Sequence, residues 1–444
     1  MNILLADYHQ QETKRLIQSL SLASIKYTTA VIHYEGDLPF GFYSPFTYFT
    51  GWHKYEGEGL FFNEIEVPSL YEIRHRDTAG GTIYSGNFIV GKFHYFKNTQ
   101  RIVKQVDWLD LKGSVVFSDC YSIQGFKYAT QLYSPDKKLY QKNFLDTEGN
   151  EVINWNLITG TITLKSNNKI QEFPTLTQFA SYFVNVLQKS GEVGLIDQLF
   201  INSLSFPLFV ADNLTIPTTL FWQEIIKDAI PQNMVNHLNE KKAVRKIIFE
   251  SDAEYKKVYN LHAKDTHVQL HYLSPLEEFE RAHKKTHKAL VLTRSDNLHH
   301  IEEILDAIPQ LELTIAAPTE MSQKLYSLKE KHASISLIPS VSEKDIATLL
   351  KTHDIYLDIN AGSEVDDCVY QAYRQKYVIL GFNEVAKNPR YAFLHPLADY
   401  PKLIEMLQKT ITSPKYENEL VNTLEQKHGA KSTIKQYQKT LKNK

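Results

Sequence analysis

The chain is poor in cysteine, with only Cys120 and Cys368 among its 444 residues. A disulfide framework is therefore excluded, and a reducing compartment is expected. No apolar run approaches the ~18 residues that cross a bilayer, so no membrane span is predicted, and peripheral membrane contact stays open. The opening "MNILLADYHQQETKRL" has too short an apolar run for a secretory signal, and no basic stretch precedes it. An excess of either charge is also missing. There are 49 Lys and Arg against 51 Asp and Glu, a formal net charge of -2. That excludes the basic footprint of a nucleic-acid binder.

Familiar catalytic signatures are missing as well. There is no GxGxxG, no GxxxxGK[ST], no GxSxG and no HExxH. The "EGEG" at 56–59 lacks a strand-to-helix setting. The 17 histidines are scattered, and His299 and His300 are the only adjacent pair. His300 and Glu303 form one i,i+3 pair, too few ligands for a metal site. No metal or cofactor is expected.

What the chain does have is ordinary globular composition, with 43% hydrophobic and 23% charged residues. Its length exceeds what one hydrophobic core usually holds, so two or three domains are expected. "NILLAD" reads as a buried strand, 11–23 as a helix and "YTTAVIHY" as a second strand, which is a βα unit of a parallel sheet. The segment 35–59, rich in Gly, Pro and aromatics, breaks that pattern and reads as a long loop. Two readings of it stay open: a loop anchored by its own rings, or a contact surface made by Phe46, Tyr48, Phe49 and Trp52.

From 60 to 170 the pattern is β throughout. "SPDKK" and "DTEGNE" are turns between strands rich in Tyr, Phe, Val and Ile, which predicts an inserted antiparallel sheet. "FPTLTQFASYFVNVLQKS" places Leu176, Phe179, Ala180, Phe183, Val184 and Leu187 on one helical stripe. The second half repeats strand and helix: "ALVLT", "LHHIEEILDAI", "LELTIAA", "EMSQKLYSLKEKH", "SISLI", "EKDIATLLKTH", "DIYLDI", "EVDDCVYQAYRQ", "YVILGF". That is a doubly wound sheet. The expected division is a discontinuous Rossmann-like domain (1–59 and 171–275), the inserted sheet (60–170), a second Rossmann-like domain (276–412) and a helical tail (413–444).

A doubly wound sheet binds ligands beyond the C-terminal ends of its strands. Tyr8 and His9 follow the first strand, while Asn360 and Ser363 follow "DIYLDI"; all four are candidate cleft contacts. Arg294, in "LTRSDNLHH", is placed either to reach a phosphate or to cap its own loop. Glu364, Asp366 and Asp367 are expected in the first turn of the next helix. They suit the helix dipole and leave a poor site for a pyrophosphate.

"LADYHQQET", "SPFTYFTG" and "YSPDKKLYQKNFLDTEGNEV" together resemble the GtfB-type stabilising proteins of bacterial accessory Sec systems, over essentially the whole chain. The resemblance implies a GT-B-like α/β fold: two Rossmann-like domains facing a cleft, with an antiparallel sheet inserted in the first. It implies a non-catalytic partner of a GtfA-type enzyme that transfers N-acetylglucosamine from UDP-N-acetylglucosamine to Ser and Thr of a serine-rich repeat adhesin. The partner stabilises that enzyme and helps hold the acceptor, with two copies of each subunit at the cytoplasmic face of the membrane.

Active relatives carry an Arg and a Lys five residues apart, and two Glu separated by seven residues. Laid onto this chain, the Arg falls on Arg294 and the Lys on His299, a weaker type of cation near neutral pH. The first Glu falls on Ser363, one place before Glu364, and the second on Gln371, which cannot act as a carboxylate. The resemblance thus implies a vestigial donor site. The alternative is an active GT-B transferase using a UDP-sugar, with Arg294 on the leaving group and Glu364 on the donor. A structural scaffold that holds no substrate is a third class.

Overall fold

The computed structural model describes residues 1–441, apart from 78–79, 97–98, 100, 167–168, 227–228, 241, 263–265, 281 and 430. The chain divides into two compact units: 1–276 together with 431–444, and 277–430. The inserted sheet belongs to the first. Residues 413–444, expected as one tail, are split: the helix Pro414–His428 lies in the second unit and Ile434–Leu441 in the first. Among the described residues, no helix is long and apolar enough to cross a membrane.

The first unit begins with β1 (Asn2–Ala6) and β2 (Tyr27–Val31). Ten strands then follow: β3 (Tyr71–Asp77), β4 (Gly80–Ser85), β5 (Phe88–Tyr95), β6 (Val103–Leu109), β7 (Val115–Tyr121), β8 (Lys127–Tyr133), β9 (Leu139–Leu145), β10 (Glu151–Asn156), β11 (Ile162–Ser166) and β12 (Lys169–Phe173). They pair in strict chain order as an antiparallel meander. The chain then returns through β13 (Gln198–Ile201), β14 (Thr218–Trp222), β15 (Val244–Phe249) and β16 (Gln269–Tyr272). These four join β1 and β2 in an all-parallel sheet, ordered β16-β15-β14-β13-β1-β2. Its central strands β1, β13 and β14 are buried almost throughout because both faces are covered. On one face, the helices Gln11–Leu22 and Ile434–Leu441 bury Leu16, Leu20, Tyr437 and Leu441.

The other face shares its core with the meander. The helix Leu176–Ser190 faces it with the predicted stripe buried, capped by Thr175 and closed at Gly191. The segment 35–59 is not one irregular loop. "SPFTYFT" makes a short helix, Pro45–Thr50. Ser44 Oγ accepts from Phe46 N, Thr47 Oγ1 accepts from Ser44 N, and Pro45 presets the first helical turn. Gly51, at φ 84°, ends it in the left-handed conformation.

This helix joins the meander to the parallel sheet through aromatic rings. Phe46 stacks on Phe144 of β9 at 4.1 Å and on Trp155 of β10 at 5.6 Å, and also meets Phe179. Trp52 stacks on Phe126 at 3.8 Å and donates from Nε1 to the Leu145 carbonyl. Phe46 and Trp52 are only 1% and 8% exposed. The partner-contact reading is therefore corrected for these two, since neither presents surface to another molecule. Tyr48 and Phe49 are half-buried, against His53 and Tyr182 respectively.

The second unit is a parallel sheet of β17 (Lys288–Leu292), β18 (Glu312–Ala316), β19 (Ile335–Ile338), β20 (Ile355–Asp358), β21 (Val378–Phe382) and β22 (Phe393–His395). Its order, β19-β18-β17-β20-β21-β22, is the doubly wound one, with strand order reversing between β17 and β20. Separate apolar clusters cover its two faces.

Truncating Phe46 to Ala should destabilise the first unit by ~3–5 kcal/mol, the usual result of emptying a buried ring site. All four tryptophans lie in that unit, so their fluorescence during urea unfolding reads it selectively. A midpoint equal to that of the unaltered chain would show that the joint carries no stability.

Candidate functional site

The two parallel sheets each reverse strand order, so each has a switch point beyond its strand ends. In the second unit it lies between β17 and β20. The loops leaving these strands are bonded to each other. His299 N donates to the Ile359 carbonyl at 2.9 Å, and Ala361 N to the Asn297 carbonyl at 3.0 Å. Leu298 and Asn360 form an isolated antiparallel bridge. Asn360 is 1% exposed, donating from Nδ2 to the Leu292 carbonyl and accepting from Gly362 N. Gly362 sits so close to the neighbouring loop that an added Cβ would come within 3.1 Å of Ser295 Cβ.

The charges here are also turned inward. Lys387 Nζ donates to the carbonyls of Asn360 and Val385 at 2.5 Å each, while its backbone N donates to Asp358 Oδ2 at 2.7 Å. Asp358 is fully buried, and burial raises its pKa against the pull of Lys387. Glu364 is pushed up to about 7, by burial first and then by the nearby Asp367 and Asp358 carboxylates. Its Oε1 accepts from Val369 N at 3.2 Å. A pyrophosphate needs free amides and excess positive charge. Here the loop amides named above already donate to protein oxygens, and carboxylates cluster beside them.

The predicted helix start is displaced. Asp366 and Asp367 have φ of 47° and 53°, and the helix runs only over Cys368–Arg374. The left-handed pair interrupts the helix, since α-helical turns need negative φ. Glu364 and Asp366 therefore lie in the loop, and Asp367 is the residue before the first helical turn. Gln371, on the helix, donates from Nε2 to the Asp366 carbonyl at 2.5 Å. It braces that loop. Ser363 is exposed, whereas the cleft-contact expectation is corrected for Asn360, whose buried amide is used internally. Arg294 lines an open pocket of about 320 Å³ beyond β17 and β18, together with Ser295, Asp296, Thr319, Glu320 and Ser322. Lys387 organises the switch point and was missed by sequence reading. Its only sequence signal is a cation just past "YVILGF".

The first unit's switch point lies between β13 and β1. Tyr8 and His9 leave β1 here, both half-buried. The Tyr8 ring stacks on His33, at the end of β2, at 4.4 Å and 7°. His9 packs edge-on against Phe42. Burial, Asp7 and Glu35 raise the Tyr8 phenol, keeping it a neutral donor, while burial and Lys14 lower the His9 imidazole. Asn202, after β13, donates to Thr13 Oγ1 and Gln223 Oε1, at 3.0 Å each. The first unit's strand ends therefore gather aromatic rings and amides beside Asp7 and Glu35, where the second unit gathers Asp358, Glu364, Asp366 and Asp367.

Two parallel, switch-point sheets with a meander inserted in the first define a GT-B-like architecture. The pneumococcal O-GlcNAc transferase GtfA, in complex with UDP and GlcNAc, has the same fold at 12% identity and a TM-score of 0.55, covering 99% of this chain and 98% of that one. Four family models match in order: GtfB N-terminal domain (3–49), GtfB middle domain (71–174), GtfB third domain (177–261) and GftB/GlyA-F C-terminal domain (289–427). The UDP-N-acetylglucosamine–peptide N-acetylglucosaminyltransferase stabilizing protein GtfB of Streptococcus gordonii is 33% identical over 395 residues, covering 88% of this chain and 86% of the relative. A chain in the crystal structure of a GtfA/B complex bound to UDP and GlcNAc superposes with a TM-score of 0.85 at 31% identity, covering 99% of both chains. The chain belongs to the GtfB family of glycosyltransferase-stabilising proteins.

Glu364 yields a signed pH prediction. Between about pH 4.5 and about pH 7 the folded chain holds a proton that the unfolded chain releases, so this group's contribution to stability falls as pH rises through that window. Glu364→Gln should flatten the dependence and stabilise the chain at about pH 8 by roughly 1–2 kcal/mol, after allowing for solvent screening. Thermal unfolding at about pH 5 and about pH 8 checks it. An unchanged or lower midpoint at the higher pH contradicts the assignment.

Proposed function

We propose that this chain is the non-catalytic, stabilising and acceptor-binding subunit of a protein O-GlcNAc-transferase complex. Its partner is a GtfA-type enzyme that glycosylates Ser and Thr of a serine-rich repeat adhesin. One observation carries the non-catalytic part: the switch point of the second unit is closed on itself. The amides of His299, Ala361 and Gly362 donate to protein oxygens, and Lys387 is spent on Asn360, Val385 and Asp358. Gln371 supplies an amide where active relatives are expected to supply a carboxylate. Family membership supports the role, through likeness to a protein named as a stabilising protein and to a chain from a GtfA/B complex.

The chain then acts by binding. The aromatic strand ends of the first unit receive the extended acceptor, and the enzyme supplies the donor chemistry. The meander is the surface we assign to the partner. Leu111, Ile158, Phe88 and Ile170 are 97%, 78%, 69% and 69% exposed there. Two copies of each subunit assemble, peripherally, at the cytoplasmic face of the membrane.

The test is co-purification with a GtfA-type enzyme, followed by UDP-N-acetylglucosamine turnover onto a Ser/Thr-rich polypeptide. No turnover is expected from this chain alone, and clear stimulation when the two are combined. Transfer or hydrolysis by this chain alone, abolished by Arg294→Ala, would overturn the proposal in favour of an active transferase.

A further inference from the structure

At the first unit's switch point, one ring is held by groups from three strand ends. Asp7, just after β1, and His33, just after β2, are joined twice. His33 N donates to the Asp7 carbonyl at 3.0 Å, and His33 Nδ1 meets Asp7 Oδ1 at 3.0 Å. Ser203, just after β13, donates from Oγ to Asp7 Oδ2 at 3.4 Å. The imidazole lies between Tyr8, stacked on one side, and Phe206, edge-on at 5.0 Å. Three strand ends thus fix one ring in place.

The carboxylate sets the direction of the hydrogen bond. A carboxylate oxygen accepts, so Nδ1 is the ring nitrogen that donates to Asp7, and in that tautomer Nε2 presents a lone pair. Among the described residues Nε2 takes no hydrogen bond. The side chain keeps 14% of its surface accessible. The result is an oriented acceptor, edged by aromatic rings, at the place where a parallel sheet binds its ligand. A peptide carbonyl cannot fill it, because a carbonyl has no proton to give. A hydroxyl or an N–H can, and of the two the hydroxyl is the side-chain donor that a Ser/Thr-rich polypeptide repeats.

We propose that His33, oriented by Asp7, accepts a hydrogen bond from a hydroxyl group of the bound acceptor polypeptide. This rests on the acceptor-binding reading above. The hydroxyl belongs either to an unmodified Ser or Thr or to an N-acetylglucosamine already attached to one, and the chemistry at Nε2 is the same. Asp7 is a positioning residue that reaches the ligand only through the ring. The site gives the chain a reason to prefer hydroxyl-rich sequence, which main-chain hydrogen bonding along an extended peptide does not supply.

The probe is a synthetic Ser/Thr-rich peptide, offered to the full chain naked, as its N-acetylglucosaminylated form, and with Ser and Thr replaced by Ala and Val. His33→Phe keeps a ring against Tyr8 and Phe206 and removes the acceptor. It should weaken binding about fivefold, the usual effect of one lost hydrogen bond. The loss should not add to that caused by removing the peptide hydroxyls. Loss with the naked peptide assigns the hydroxyl to Ser or Thr, and loss confined to the glycopeptide assigns it to the sugar. Unchanged affinity for both, in a variant that unfolds at the normal urea midpoint, overturns the proposal. If the unaltered chain binds neither peptide, the acceptor-binding reading itself fails. Should His33→Phe not fold, the ¹⁵N signal of His33 Nε2 in the unaltered chain decides. It should move toward the hydrogen-bonded position on peptide addition, and a signal that stays still overturns the assignment.

Discussion

Burial of the Phe46 ring between Phe144, Trp155 and Phe179 is the contact on which the first unit depends. A ten-stranded meander has no reason to hold one orientation on a parallel sheet unless the two share a core. Here the sharing is done by a six-residue helix, started by Ser44, Pro45 and Thr47 and stopped by Gly51. The ring brings sheet, meander and the helix Leu176–Ser190 into one apolar cluster. Because that cluster closes one face of the parallel sheet, the strand ends carrying Asp7, His33 and Ser203 are held on a rigid base.

The two switch points show what one fold does with opposite chemistries. Beyond β17 and β20 the loops bond to each other, and the nearby acids lie close enough for burial and mutual repulsion to hold a proton on Glu364 up to about pH 7. Adding a doubly charged diphosphate there would cost the repulsion of Asp358, Asp366 and Asp367, with Lys387 already committed. Beyond β1 and β13 a single carboxylate, Asp7, is tied to His33 and Ser203, beside the amide of Asn202 and the rings of Tyr8 and Phe206.

Much of this was legible in the sequence, for identifiable reasons. Continuous apolar runs such as "NILLA" and "ALVL" announce strands covered on both faces, and the 176–187 stripe announces its helix, because burial dominates both. The displaced helix start at 364–368 was hidden. Asp366 and Asp367 are ordinary early-helix residues by type, and their left-handed backbone arises from the packing of neighbouring loops. Phe46 and Trp52 read as a surface because an aromatic-rich segment looks alike whether its rings face solvent or a distant strand. The partners of Phe46 lie about a hundred residues on, where no local pattern reaches.

The Asp7–His33 pair was hidden for a related reason. "ADYH" and "VIHY" each look unremarkable, and only the parallel pairing of β1 with β2 sets their ends side by side. The register pairs Ala6 with Val31; Asp7 is the next residue on β1 and His33 the second past β2, where His33 N donates to the Asp7 carbonyl. Shifting that register by one residue would turn the side chains of β2 to the other face. The buried run that includes Ala30 and Val31 therefore also aligns the polar pair beyond them. In this unit the force that builds the core and the geometry that sets Asp7 beside His33 are the same constraint.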